Sequence, residues 1–367
     1  MLTPADDYPL HQTPEPLAFS GSDRNFYDRF FFNGYSAAGD VFFAIALGVY
    51  PQLNIMDAAI CLLVDGQQHN MRASKEMQGD RINLAVGGIK IEITKPFEQT
   101  HISLADNEYG LSASLTATAR HQAIEEPRFI RRQATRLFMD YTRASQNISW
   151  QGAFVLDGQK INVDECLGTR DRSWGLRPIG LADPQQIVPP AEPQFYWLWM
   201  PVNFAKACLF AHCNDDASGV AWNRRAVLDE FKKGQRSEYE QANFTPQYEP
   251  NTRRIADLVV QLGDDGQARF TPQKQRFYMQ GLGYTHPEWG HGYHHGALRV
   301  GYDVLDTRQA EAALKAGTMQ NLHIQELCHV VLDRGGQIIE GQGVIEQLFI
   351  GAHAPSSFDG LADRIIG

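Results

Sequence analysis

"GGIKIEITKPFEQTHISLADNEYGLSASLTATAR", residues 87–120, alternates apolar and polar side chains and is broken twice by turn residues, at KPFE and at DNEYG. A period of two punctuated by short turns is the pattern of consecutive antiparallel strands. The same grammar extends in both directions. GDVFFAIALGVYP (39–51) and DAAICLLVDGQQHNMR (57–72) are apolar runs ended by a proline or carrying an Asp-Gly turn. ISWQGAFVLDGQKINV (148–163) and ADLVVQLGDDGQARFT (256–271) are hairpin patterns around Asp157-Gly158 and Asp265-Gly266. Helix signals are few: DTRQAEAALKAG (306–317) joins good helix formers to a terminal glycine, and SFDGLADRII (357–366) suggests one short turn. The fold class that follows is all-β, an antiparallel barrel or sandwich and not a βαβ fold.

The 367 residues are comfortable for two domains, and the stretch GLADPQQIVPPAEPQ (180–194), with four prolines and no periodicity, separates two strand-rich halves. The expected division is residues 1–185 and 186–367, two β-barrel-like domains packed together. ALGVYP (46–51) is echoed by GLGYTHP (281–287), which agrees with a duplicated barrel. A net charge of −10 argues against a nucleic-acid partner, which needs a basic face. No apolar run is long enough to span a membrane, and MLTPADDYPLHQTPEP lacks the basic and apolar regions of a signal peptide. The five scattered cysteines read as reduced, mostly buried thiols of a cytoplasmic protein, and a homodimer is compatible with all of this.

GTRDRSWGLRPIG (168–180) concentrates charge. On a strand, Arg170, Arg172 and Trp174 share one face while Asp171 and Ser173 share the other, unless Gly168 or Gly175 introduces a bulge. One reading is a surface ladder of ion pairs. The other is a pocket wall, with an arginine on a ligand carbonyl or carboxylate and the indole as a side. FYWLWM (195–200) places Trp197 and Trp199 opposite Tyr196, either as a strand buried on both faces or as an aromatic ligand wall. Glu326, in NLHIQELCHVVL, and Glu346, in GVIEQLFIG, would have raised pKa values if desolvated, unless each is a satisfied barrel-end carboxylate.

RDRSWG resembles the R-D-H-x-W-G segment of the hydroxyneurosporene synthase/AttH-like superfamily, which includes carotenoid 1,2-hydratases. FFNGYSAAGDVFFAIALGVYP, MDYTRASQNISWQG, HPEWGHG and GQGVIEQLFIGAHAPSSF extend the resemblance, in order, over nearly the whole chain. It implies two consecutive lipocalin-like β-barrels and a hydrophobic pocket at the domain interface or in one barrel. It also implies small lipophilic, often terpenoid-like ligands and no obligatory cofactor. Where the pattern has histidine this chain has Arg172, whose guanidinium stays protonated and cannot shuttle a proton.

YTHPEWGHGYHHG (284–296) holds four of the twelve histidines. On an extended strand His291 and His295 would lie roughly 13 Å apart, too far to share a metal without a turn, which the glycines would permit. Proton transfer by His286 or His291 is a second reading. A barrel-mouth loop with Trp289 packed beneath it is the third.

The function these expectations favour is a cofactor-independent hydratase, dehydratase or isomerase, or a cyclase, acting on a small lipophilic substrate. Asp171 and His291 would be the acid–base pair, with His286 in reserve, and Arg172 would polarise a ligand oxygen. Trp174, Tyr196, Trp197, Trp199, Trp289 and Glu326 would shape the pocket. The competing classes are a non-catalytic carrier or sensor of hydrophobic metabolites and a metal-dependent lyase built on the histidine stretch.

Overall fold

The computed structural model, which describes residues 2–11, 22–183, 192–231, 235–315 and 319–362, is built almost wholly from antiparallel strands. Among the described residues the single α-helix, Thr307–Lys315, lies where helix formers and a following glycine placed it. Asp65-Gly66 and Asp157-Gly158 close their hairpins with positive φ at both positions, the geometry that suits the right-handed twist of the flanking strands.

The chain divides into two compact units: residues 1–190 with 281–305, and residues 191–280 with 306–367. The expected boundary at 185/186 lies outside the described residues. Residues 281–305, although they follow most of the second half in sequence, belong to the first unit. The echo of ALGVYP in GLGYTHP therefore does not mark equivalent elements: one ends the strand Val41–Tyr50, and the other opens this returning segment.

In the first unit the strands Gln67–Glu76, Ile55–Val64, Val41–Tyr50, Phe26–Tyr35, Leu167–Leu176, Arg136–Leu156 and Leu111–Ala119 lie side by side in that order, and the sheet curls into a nearly closed barrel. Its inner face is apolar, with Phe30, Phe32, Phe43, Ile45, Ile60 and Trp150 in one buried cluster. In the second unit nine strands form a half-barrel in which Phe195–Phe204 pairs with Gln337–Ile350. Tyr196, Leu198 and Met200 line its core.

The strand Leu167–Leu176 runs in unbroken register with both neighbours, so its glycines introduce no bulge and the expected division of faces holds. Gly168 is needed for another reason: a Cβ there would stand 2.0 Å from the Asn33 carbonyl oxygen, which also accepts the Trp150 indole N–H at 2.9 Å.

Arg170 and Arg172 face inward, paired across the sheet with Phe32 and Phe30. Such charges need partners, and the N-terminal turn Pro4–Asp7 brings them. Arg170 forms an ion pair with Asp7, while Arg172 donates to the Asp7, Tyr8 and Arg29 carbonyls at 3.2, 3.1 and 2.6 Å and to Asp28 at 2.5 Å. His11 bonds Asp28 at 2.7 Å and stacks on Trp174 with ring centroids 3.7 Å apart. Burial works against ionised Asp7, and the Arg170 guanidinium more than reverses this, leaving its pKa below 3.8. The contribution of this pair is complete above about pH 4 and is lost as pH falls through the depressed native value. Asp7→Asn, which leaves Arg170 buried without its counter-charge, should lower unfolding stability by about 3–5 kcal/mol in urea titrations at neutral pH. A loss under about 1 kcal/mol would show that the N-terminal turn is not integral to the barrel.

Candidate active site

The outer face of the first barrel is polar in an unusual way. Tyr27, Arg29, Asp57, Arg72, Ser74, Asp171 and Ser173 all project from it, and all but Asp57 are buried. Water is kept from part of this face by the returning segment. Its glycines and Pro287 deny residues 283–297 a regular strand, and that stretch is held by bonds to the sheet, while Leu298–Asp306 continues as a strand beside Gln67–Glu76. Arg72 Nε donates to the Gly281 carbonyl at 2.8 Å and Ser74 Oγ to the Tyr293 carbonyl at 3.2 Å. The Gly292 amide donates to Asp57 Oδ2 at 2.8 Å, with a φ of 74° that favours glycine. From the far side the Gly180 amide donates to the His291 carbonyl at 2.7 Å.

Under this roof His291 is fixed on both nitrogens. Nε2 donates to the Leu282 carbonyl at 3.0 Å, which leaves Nδ1 as the acceptor. Two guanidiniums meet this ring: Arg177 Nη2 lies 3.2 Å from Nδ1, and Arg29 Nη1 lies 2.6 Å from both Nδ1 and Nε2. The Tyr284 ring stands edge-on to His291 and lies 4.8 Å from the Arg29 guanidinium. The result is the floor of an open cleft of about 330 Å³, lined by Arg177, Tyr284, His286, His291 and Tyr293.

Just beneath, Asp57 accepts from Tyr50 Oη at 3.0 Å as well as from Gly292. Burial pushes its carboxyl up, and the Arg29 charge, the Gly292 amide and the Tyr50 hydroxyl offset this only in part. Asp171 is on the same face, diagonal to Arg29, whose direct partner is Ser173, a separation of roughly 7–8 Å. Its recorded ionic neighbour is Arg143, at 3.9 Å.

The other expected residues divide clearly. Arg172 and Trp174 point inward to the N-terminal turn, so neither lines this cleft. His286 does line it, while its Nδ1 accepts the Glu288 and Trp289 amides at 3.1 and 3.0 Å. Trp289 is half-buried, packed on the His295 ring at 4.5 Å with Arg299 over its face. His294 turns away to Glu76 at 3.0 Å. The four imidazoles therefore serve four different partners.

In the second unit Tyr196 lies within the half-barrel core, stacked on Phe349 and bonded to Tyr248. Trp197 and Trp199 project from the opposite face, where Trp197 Nε1 donates to Glu346 at 3.0 Å. His323 and Gln325 also bond Glu346, at 2.9 and 2.7 Å. Burial opposes its charge, but these three partners hold its carboxyl below the ordinary value, so of the two readings Glu346 is the satisfied carboxylate and not the desolvated acid. Glu326 does behave as expected: burial pushes it up, although Arg276 bonds it at 3.0 Å.

Arg29, Asp57, Arg177 and Tyr284 were not among the expected residues. Asp57 had a signal, being a lone charge within the apolar strand Ile55–Val64. Arg177 had one too, since it continues the alternation of Asp171 and Ser173 beyond Gly175.

A family model covering residues 2–359 matches this sequence. The chain belongs to DUF8625, a family of unknown function. No curated protein matches it. Among solved structures it is similar to the AttH assignment from Nitrosomonas europaea, with a TM-score of 0.54 and 14% identity over 95% of this chain and 99% of that one. It is also similar to kievitone hydratase from Nectria haematococca (TM-score 0.47, 11% identity, 88% of each chain) and to CghA solved with Sch210972 (0.49, 9%, 89% of each). At such identities the likeness is one of fold, and the AttH-like resemblance of the sequence motifs holds at that level.

His286 gives the roof of the cleft a pH dependence. Burial, then the Arg72 charge, pushes its pKa below 6.5. The folded loop thus resists protonation, and its stability is full at neutral pH and declines as pH falls below 6.5 towards the depressed native value. Hydrogen exchange at the Glu288 and Trp289 amides should accelerate, beyond the intrinsic pH trend, between about pH 7 and about pH 5. His286→Ala should remove that dependence and leave both amides less protected throughout. Equal protection in both proteins would contradict the capping role.

Proposed function

We propose that this protein is a cofactor-independent acid–base enzyme, a hydro-lyase or isomerase acting on a small lipophilic, terpenoid-like substrate that carries an oxygen function. The observation that carries this reading is the pairing of Arg177 with His291 Nδ1 in the lining of the cleft, backed by the buried Arg29 guanidinium against the same imidazole. A ligand oxygen entering there competes for the guanidinium N–H groups. As charge develops on that oxygen its bonds to arginine strengthen, which favours the transition state over the ground state. The same exchange releases the Nδ1 lone pair, and a free imidazole nitrogen is a competent base for a water or a substrate carbon acid.

Arg177 takes the polarising role first given to Arg172. His291 keeps the role of base. Asp57 acts through Gly292 as a positioning residue, and Asp171 supplies balancing charge on the Arg29–Arg143 side. The reaction would take place in a soluble cytoplasmic chain, in keeping with five buried free thiols. Among the described residues no helix is long and apolar enough to cross a membrane.

Incubation in deuterated water with a panel of small terpenoid enones and allylic alcohols tests the proposal. Hydration, dehydration or exchange of an α-hydrogen is expected for the native protein. His291→Ala and Arg177→Met should each slow it by about 10²–10⁴-fold. Asp57→Asn should act more mildly, by about tenfold. Ligand binding without turnover, unaltered by His291→Ala, would replace the enzyme by a carrier.

A further inference from the structure

Arg177, which lines the cleft, and Arg29, buried beside His291, differ from Arg143, Arg170, Arg172 and Arg276 in what balances them. Arg170 and Arg172 are met by Asp7 and Asp28, Arg143 by Glu126 and Asp171, and Arg276 by three carboxylates. Among the described residues, no carboxylate is recorded as an ion-pair partner of Arg29 or Arg177; their recorded hydrogen-bond partner is the ring of His291. Arg29 is only 2% exposed, and the Nε atoms of both arginines are buried without a hydrogen-bond partner. Asp57 is near enough to feel the Arg29 charge, but its two oxygens accept from Tyr50 and Gly292. A neutral imidazole is a poor substitute for an anion, since it offers one lone pair to two cations.

The geometry points to a carboxylate as the polar end of the ligand, seated on Arg177 in the cleft in place of its bond to His291, with the buried Arg29 charge beside that imidazole adding to the attraction. A planar monoanion with two oxygens matches the fork of donors that each guanidinium presents. Tyr284, Tyr293, Ile179 and Pro287 also line the cleft and offer ring and aliphatic surface to the carbon skeleton attached to the carboxylate. This deepens the function proposed above and rests on the same cleft, but it adds a substrate class: acids are preferred over their neutral esters and amides. It also orders the events, because a ligand oxygen must draw the Arg177 guanidinium from His291 before the imidazole can take a proton.

Calorimetric titration with cinnamate, cinnamamide and phenyl phosphate tests the inference on the full chain. Cinnamate should bind roughly 10–100-fold more tightly than cinnamamide. That preference should disappear in Arg177→Gln and return in part in Arg177→Lys, with unfolding midpoints confirming that both variants are folded. Equal affinity for acid and amide, no binding of either, or an unchanged preference in Arg177→Gln would overturn it. Tighter binding of phenyl phosphate than of cinnamate would also overturn the carboxylate assignment. Turnover of neutral enones distinguishes the two proposals. If it persists and depends on His291 while cinnamate shows no preference, the enzyme reading stands and the carboxylate assignment falls. If acids bind but no probe exchanges a proton, the carboxylate site stands and the enzyme reading falls.

Discussion

Arg170 and Arg172 occupy the inner face of the first barrel only because Asp7, Asp28 and the peptide carbonyls of the N-terminal segment meet them. Most of the local geometry follows from that constraint. The strand carrying the two arginines must keep strict alternation, since a one-residue slip would drive Asp171 and Ser173 into the core and the guanidiniums out. With the alternation fixed, Asp171, Ser173 and Arg177 are committed to the outer face. They join a row of polar groups there that the returning segment helps to cover.

The cleft is thus a by-product of how one strand distributes charge. Inward-facing guanidiniums are fully compensated and rigid, and they serve stability. Outward-facing Arg29 and Arg177 are held by an imidazole and by aromatic rings, weaker partners that a ligand can displace. The same side-chain type performs two tasks in one barrel, separated by which face it occupies and by what balances it.

Local patterns in the sequence were sufficient for the strands, the Asp-Gly hairpins, the helix at 307–315 and the faces of GTRDRSWG and FYWLWM, because each depends on neighbours a few residues away. The partners of those faces were not legible. Arg172 reads as a pocket residue until Asp7 arrives from 165 positions earlier. His291 reads as a free base until Arg29 arrives from 262 positions earlier. Glu326 and Glu346 look alike in sequence, yet one meets a single guanidinium and the other three hydrogen-bond donors, which sends their acidities in opposite directions. Periodicity reports which way a side chain points and is silent about what it meets.

The return of residues 281–305 to the first unit has a consequence for biosynthesis. A ribosome releases the chain from its N-terminus, and domains commonly fold in that order. Here the first barrel emerges with its outer face, Arg29 and Asp57 included, without the segment that clamps it, and ninety residues of the second unit, 191–280, follow before that segment appears. The nascent barrel must therefore wait, with its polar face hydrated, while the early strands of its neighbour are made. Arginine, aspartate and serine on the part of that face awaiting its cover take up water readily until the covering segment arrives.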